Sequence, residues 1–477
     1  MRKLAALLVP LVAAAGACGH LAPRHVRPEL PTPPAYMSSS DSDATIGTPA
    51  TAIGWREFFP DPRLDALIAA ALVHNRNLAI SVAQIEQARG LYRIQNADRI
   101  PAVDANAAAT RSRTSALATG VPNAQSVTGN RYSVGVGVPA FELDFWGRVR
   151  NLTEAARSRY LATVQAQRAF RLSLIQDVAS AYLGAVEASE EIRVAESAVQ
   201  SRREGVRIAK VRLDAGITSG LDYHQAETLL TQAEATLASL RLFQAQQNNL
   251  LFVLVGGPVP DPLPAPLPLQ QQVNPVMLAA GLPSQLMLVR PDVIAAEEQL
   301  RAAEADVGAA RAAFFPSISL TGNLGYASTQ LDNLVGQDGL TWSFGPSISL
   351  PIFNRGRLTG NSTVAHAREN IAVADYERTI QVAFQEVSNA LAGRRFLAEQ
   401  VAAQERGTIA QRQIAALAAT RYREGVVGYI EVLDAERNLF AAEQALLQLR
   451  RVEADNLVAL YIALGGGTSE QRAAVER

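Results

Sequence analysis

FFPSISLTGNLGY, residues 314–326, is followed after a polar loop by LTWSFGPSISLPIF, residues 340–353. Apolar side chains recur at every second position: Ile318, Leu320, Leu324 and Tyr326, then Trp342, Phe344, Ile348 and Leu350. Between them stand Ser317, Ser319, Thr321, Asn323 and Gly325, then Ser343, Gly345, Ser347 and Ser349. A period of two predicts β-strands with one greasy face and one wet face. Each run is about ten residues, the length of a tilted membrane-spanning strand. Almost everything around this hairpin reads as helix.

Working outward, Pro101 stops a helical pattern, and a weaker alternation follows at Val103, Ala105, Ala107 and Ala109. Its return is Tyr132, Val134, Val136 and Val138 against Ser133, Gly135 and Gly137. From Trp146 to Leu213 there is no proline, and Leu174, Val178, Ala181, Ala185, Ala188, Ile192, Ala195 and Val199 recur at threes and fours. That spacing predicts a helix on the order of 100 Å long, packed as in a coiled coil or bundle. Gly216 breaks it, and a second helix is expected from Leu221 to Val255. After a Pro-rich stretch the pattern starts again, with long helices over 358–424 and 430–464 on either side of Gly425.

The two halves are copies. Gly216 aligns with Gly425, Ala226 and Glu227 with Ala435 and Glu436, and Gly147 and Arg148 with Gly356 and Arg357. The predicted division is a signal segment at 1–17 and an extended tether at 18–60. The first repeat follows at 61–257 with its hairpin at 101–140, then a Pro-rich connector at 258–284. The second repeat is 285–467 with its hairpin at 316–353, and a polar tail covers 468–477. The order places both hairpins at one end and both helix turns at the other. Four strands cannot close a barrel and would leave open edges in lipid, so the chain must oligomerise. A homotrimer gives twelve strands, within the range of bacterial barrels.

Composition narrows the function. The 44 basic and 45 acidic residues leave a net charge of -1, which speaks against a nucleic-acid partner. No apolar run is expected to span a bilayer as a helix. The single cysteine, Cys18, excludes an intrachain disulfide and a Cys metal cluster. Arg2 and Lys3, the apolar run Leu4–Val12 and the small residues before Cys18 form a secretory signal. Cys18 after Gly16 and Ala17 resembles a lipobox, whose thiol is acylated, and Gly19 in place of Asp implies transfer to the outer membrane. An ordinary signal peptide with an incidental cysteine is the alternative. The five histidines are scattered, and no Ser/His/Asp arrangement or phosphate-cradling loop is visible. No catalytic site, metal site or cofactor is expected beyond the lipid on Cys18.

Several motifs carry a resemblance: WREFFPDP (55–62), FELDFWGR (141–148), LPS (282–284) with VRPDVIAAE (289–297), AARAAFFPSISLTG (309–322), LDAER (433–437) and YIALGGG (461–467). Together they make the chain similar to the TolC-like outer-membrane efflux family, in particular the lipoprotein channels of resistance-nodulation-division pumps. Val289 departs from the family's usual second Arg. The resemblance implies a mainly α fold with a transmembrane β part. A trimer would form a twelve-stranded barrel in the outer membrane of a Gram-negative bacterium, and a helical barrel would extend into the periplasm. The function implied is the exit duct of a tripartite pump for drugs or other small toxic solutes. A periplasmic adaptor and an inner-membrane transporter would dock near Gly216, Thr218, Gly425 and Val426.

The family's aperture places an apolar residue and an Asp one helical turn apart, here Ile430 and Asp434. Arg421, Tyr422, Arg212 and Asp222 lie near the same tip and are candidates for the bonds that hold it shut. Leu221 and Gln225 are the uncharged repeat equivalents of Ile430 and Asp434. Without the resemblance, Asp434 reads as a carboxylate favouring its helix N-terminus. Tyr132 and Trp342 are expected as interfacial aromatics. Two other readings stand beside the duct: an exit duct for type I protein secretion or metal-ion efflux, and a coiled-coil scaffold or adhesin. A scaffold has no need of four lipid-length strands.

Overall fold

The computed structural model describes residues 21–36, 47–115, 125–259, 262–273, 278–279 and 290–468. Cys18, the signal segment, motif residues 282–289 and nearly all of the tail lie outside the described residues. In chain order the main elements are α1 (Pro62–His74), α2 (Arg76–Ala97), β1 (Asp104–Thr114), β2 (Val127–Glu142), α3 (Arg148–Asp214) and α4 (Gly220–Val255). Then come α5 (Pro291–Ala312), β3 (Ser317–Ser328), β4 (Leu340–Ser349), α6 (Arg357–Arg423) and α7 (Tyr429–Ala463). Helices α3 and α6 have 67 residues each, and the second half repeats the order of the first. The chain forms two compact units. One draws on residues up to Pro28, Gln84–Val164 and Ala295–Tyr376, the other on Glu29–Ala83, Gln165–Ile294 and the chain from Glu377 onward.

The first unit holds the sheet. Its two hairpins do not stay separate: β2 pairs with β3, giving one antiparallel sheet in the order β1-β2-β3-β4. Opposed residues of an antiparallel pair point to the same side, so the register defines two faces. On one face run the rows Val136–Leu324–Trp342 and Val134–Tyr326–Leu340, with Ile318 opposite Ile348. On the other run Gly137–Asn323–Ser343 and Gly135–Gly325–Thr341. The Ser319 and Ser347 hydroxyls there lie 2.7 Å apart. The outer edges, β1 and β4, have no strand partner among the described residues.

The register corrects both hairpin limits. Strand β2 continues past Pro139 to Glu142, beyond the predicted end at 140. A bulge sets Val138 to Phe141 against Gly322 to Leu320, three steps against two. The extra residue turns Phe141 onto the apolar face, and a proline is tolerated at such an irregularity. At the other end β4 stops at Ser349, short of the predicted 353, and Ile352 and Phe353 are 93% and 83% exposed in the single chain. The sheet joins its helices through Trp146, which stacks on Phe315 at 4.7 Å and donates from Nε1 to the Pro316 carbonyl at 2.8 Å.

The segment 21–28, predicted as plain tether, is held along α5. Arg27 reaches both carboxylate oxygens of Glu297, at 3.0 and 3.1 Å, and His25 lies 2.9 Å from Glu304. Gly308 makes room for it, since a Cβ there would strike Ala22.

The second unit buries an aromatic core. Phe58 stacks on Tyr461 at 4.1 Å, and the Tyr461 hydroxyl donates to the Ile53 carbonyl at 2.8 Å. Asp61 caps α1 by accepting from the Arg63 amide at 2.8 Å. Though fully buried, it also accepts from the Tyr182 hydroxyl at 2.7 Å, the Gln272 amide at 2.8 Å and the Leu267 N–H at 3.0 Å. One carboxylate thus fixes α1, α3 and the connector, and a buried carboxylate is tolerable only with such a full set of donors. Ala179, Ala188, Ala195, Ala383 and Ala390 are buried along the long helices, where small side chains let backbones approach closely.

The helical stretch Pro62–Ala97 is long and apolar enough to meet the criterion for a membrane span. It is broken at Asn75, whose backbone is extended and whose side chain donates to the Leu254 carbonyl at 2.7 Å. Leu64, Leu67 and Ile68 before the break are buried in the core.

Candidate functional site

The two helix turns end their long helices in the same way. Gly216 has φ 70°, its N–H donates to Leu213 at 2.9 Å, and the Ile217 N–H reaches Arg212 at 2.8 Å. Gly425 has φ 74°, its N–H donates to Tyr422 at 3.0 Å, and the Val426 N–H reaches Arg421 at 2.9 Å. This left-handed closure satisfies the last carbonyls and favours glycine. Ile217 and Val426 are equally exposed, at 67% and 66%.

The following helices start differently. Ser219 and Asp222 form a reciprocal capping box at the start of α4. Thr218 donates to Asp222 at 2.7 Å, and these hydrogen bonds hold its carboxyl below the usual range. Asp222 therefore serves as a local cap, and among the described residues of the single chain it makes no bond to the second turn. Helix α7 starts at Gly428 with no side-chain cap.

Around that second turn the side chains cluster. Ala415, Ala418, Val432 and Ala435 form a small core, with Tyr422, Tyr429 and Leu439 packed on it. The Tyr422 and Tyr429 rings lie 5.0 Å apart. The Arg212 guanidinium donates to the Tyr422 hydroxyl and lies over its ring, joining α3 to α6. Tyr429 leans on Gly205, where any Cβ would strike its hydroxyl. Burial, then the Glu436 and Glu204 charges, push its phenol up to about 12. Arg421 pairs with Glu431 at 2.6 Å, across the turn within the same copy.

Ile430 and Asp434 are both exposed and lie four residues apart, on one face of α7. Asp434 accepts from Arg437 and, at 3.3 Å, from the Asn438 amide. Its charge is therefore partly compensated, which the sequence reading did not foresee although Arg437 stands within the LDAER motif. Leu221 is 66% exposed at the equivalent position of the first turn, beside the half-buried Gln225.

A second cluster was missed altogether. Glu187 and Glu191 of α3 are buried. Glu187 lies 3.5 Å from Arg451 of α7, which also pairs with Asp455 at 3.2 Å, and Gln448 donates to Glu191 at 3.0 Å. Burial raises the Glu187 carboxyl to about 7, Arg451 opposes the shift, and Glu191 and Asp455 add to it. Nothing local in the sequence marks this joint.

On the sheet, Tyr132 and Trp342 both belong to the apolar face but not to one row. Trp342 shares the row of Val136, four residues from Tyr132 along β2. Cys18 lies outside the described residues. Among the described residues no cluster of His, Cys, Asp or Glu is arranged to hold a metal.

The chain matches the family described as outer membrane efflux protein over residues 67–257 and 282–466, one segment for each half. It is 41% identical over 447 residues to the solvent efflux pump outer membrane protein SrpC of Pseudomonas putida, covering 92% of each chain. It is 38% identical over 466 residues to the cation efflux system protein CusC of Escherichia coli, covering 96% of this chain and 99% of the relative. Among solved structures it resembles the open state of the MtrE outer membrane channel of Neisseria gonorrhoeae. The TM-score is 0.84 at 37% identity, with 94% of this chain and 98% of that one covered. With the match running through both halves, the chain belongs to the outer membrane efflux protein family and is an efflux channel, not an enzyme.

Proposed function

We propose that three copies close one twelve-stranded barrel in the outer membrane, with their helices continuing as a periplasmic duct gated at the second helix turn. The observation that carries this reading is the four-stranded sheet with an apolar face, a wet face and two unpaired edges. In hydrocarbon an unpaired edge leaves backbone groups without hydrogen bonds, so β1 of one copy must meet β4 of the next. The apolar face then meets lipid and the Ser/Gly/Asn face lines the lumen. Residues 1–17 are the signal removed on export, Cys18 carries the lipid, the stretch that follows leads to residues 21–28 held along α5 and so ties the lipid to the fold, and 258–284 form an equatorial connector.

The aperture combines a ring of Ile430 with a ring of Asp434. Three carboxylates in one ring repel each other unless paired or solvated. The partners are a periplasmic adaptor at the turns near Gly216, Thr218, Gly425 and Val426, and an inner-membrane resistance-nodulation-division transporter that supplies the energy. The cargo is drugs or other small toxic solutes. Relatives named for solvent and for cation efflux support a duct that leaves cargo choice to its transporter.

The test is cross-linking of the full chain in outer-membrane fractions, followed by single-channel recording. A cross-linked trimer and one conductance per trimer are expected; a monomer without conductance overturns the reading. Cys18→Ser should abolish lipid labelling, and labelling that persists removes the anchor.

A further inference from the structure

We infer that Arg111 and Arg113 form an outward-facing docking site for the phosphorylated headgroup of an outer-leaflet lipid. The inference rests on the membrane orientation proposed above. The register supplies the geometry. Ala105 pairs with Val136, Ala107 with Val134 and Ala109 with Tyr132, so these side chains share the apolar face. The same alternation continues outward to Arg111, opposite Asn130, and Arg113, opposite Thr128. On β1 and β2 this face therefore reads, toward the hairpin tip, aliphatic rows, then Tyr132, then two arginines.

The heights fit a bilayer. The row of Ile318 lies eight residues along β3 from that of Tyr326, and the Tyr132 row, opposite Ser328, lies two further. Ten steps of ~3.3 Å, tilted by about 40°, give an apolar band about 25 Å tall, the usual height of a barrel's lipid belt. Arg111 then stands about 5 Å, and Arg113 about 10 Å, beyond the aromatic row, at headgroup level. Their Cα atoms are ~7 Å apart along the strand, close enough for two guanidiniums to share one phosphate or neighbouring ones.

Charge points the same way. No acidic residue occurs between Asp104 and Glu142, a stretch that holds Arg111, Arg113 and Arg131. The second hairpin is the opposite, with Asp332 and Asp338 and no Lys or Arg between Ser317 and Ser349. Arg111 and Arg113 are exposed and make no ion pair among the described residues; Arg113 donates only to the Ser126 hydroxyl, at 3.1 Å. Arg131 pairs with Thr110 on the wet face and is not part of the site.

The test uses the full chain, purified from outer-membrane fractions, and native mass spectrometry. It is titrated with diphosphorylated lipid A, with the same lipid stripped of phosphate, and with inorganic phosphate. R111Q/R113Q should bind the phosphorylated lipid about 25-fold more weakly, near fivefold for each charge at a lipid surface. R131Q should bind like the wild type, and the stripped lipid should not distinguish the three proteins.

Equal affinity of R111Q/R113Q and wild type for the phosphorylated lipid overturns the site, as does an equal loss in R131Q. Competition by inorganic phosphate at the same concentration shows a free-anion site and overturns the lipid assignment. A trimer weakened in R111Q/R113Q with lipid binding intact assigns the arginines to Asp332 or Asp338 of a neighbouring copy and also overturns it. If the wild type is missing from outer-membrane fractions, the orientation beneath both readings fails; if it is present with no lipid preference, this site alone fails.

Discussion

The two helix turns share one closure and differ in how the next helix begins. At the first, Ser219, Asp222 and Thr218 lock the start of α4 with side-chain hydrogen bonds. At the second, Gly428 offers none, and Tyr429 stands where the first turn has Gly220. The second turn is held instead by tertiary contacts: Tyr422 against Tyr429, Arg212 on Tyr422, and Arg421 on Glu431. Duplication preserved the backbone solution and divided the work. The capped copy is held by hydrogen bonds within its own turn, whereas the uncapped copy is held by contacts from neighbouring side chains.

The largest expected effect falls on the stem that carries both turns. The folded chain holds a proton on Glu187 up to about pH 7, which an unfolded glutamate gives up near its ordinary value of 4.5. The folded state therefore binds more protons between those values. Stability contributed by this joint is present in acid, falls as pH rises from roughly 4.5 to 7, and is flat above. The full shift, with the opposing Arg451 charge already included, corresponds to about 3 kcal/mol. Hydrogen exchange in α3 and α7, corrected for intrinsic rates, should accelerate from pH 5 to pH 8 at both turns equally, and Glu187→Gln should flatten the response. Loosening confined to one turn would mean that the contrast lies in the stem rather than in the caps.

Tyr429→Ala comes next. Losing a half-buried ring from the small core should cost about 2 kcal/mol. Amides in the first turn of α7 should exchange tens of times faster, with those of α4 unchanged. Equal acceleration in α4 would show that the turns unfold together. Ser219→Ala should cost about 1 kcal/mol at the start of α4, as loss of an N-cap does, and should leave α7 unaffected. A shared response here would remove the division of labour.

Much of this was legible in the chain. The strands follow from alternation at Ile318–Tyr326 and Tyr132–Val138, and the helix ends from Gly216, Gly425, Pro101 and Pro316, because each signal is local. The bulge was not, since Pro139 reads as a strand end until β3 supplies the partner that fixes the register. The capping box was present in the spacing of Ser219 and Asp222, although Asp222 was read as a candidate latch. The Glu187 joint is the opposite case: the neighbouring Gln448–Glu191 bond spans 257 residues. No periodicity carries such a pairing. The candidate gate came from the family resemblance, and its partner Arg437 only from the structure.

The smallest expected energy belongs to Arg437, yet it tests the proposed gate most directly. An exposed i, i+3 ion pair contributes under about 1 kcal/mol, so Arg437→Ala should leave stability nearly unchanged. What changes is the charge at the proposed aperture. Removing Arg437 exposes the full Asp434 carboxylate, so single-channel recordings should show stronger cation preference and steeper dependence on salt. Asp434→Ala should weaken cation preference and open the pore more easily, and the double variant should follow Asp434→Ala. At the first turn the equivalent positions are Gln225 and Thr228, and Gln225→Ala should change selectivity little. Unaltered selectivity in both Arg437→Ala and Asp434→Ala would place the constriction elsewhere and leave the uncapped turn without a gate to serve.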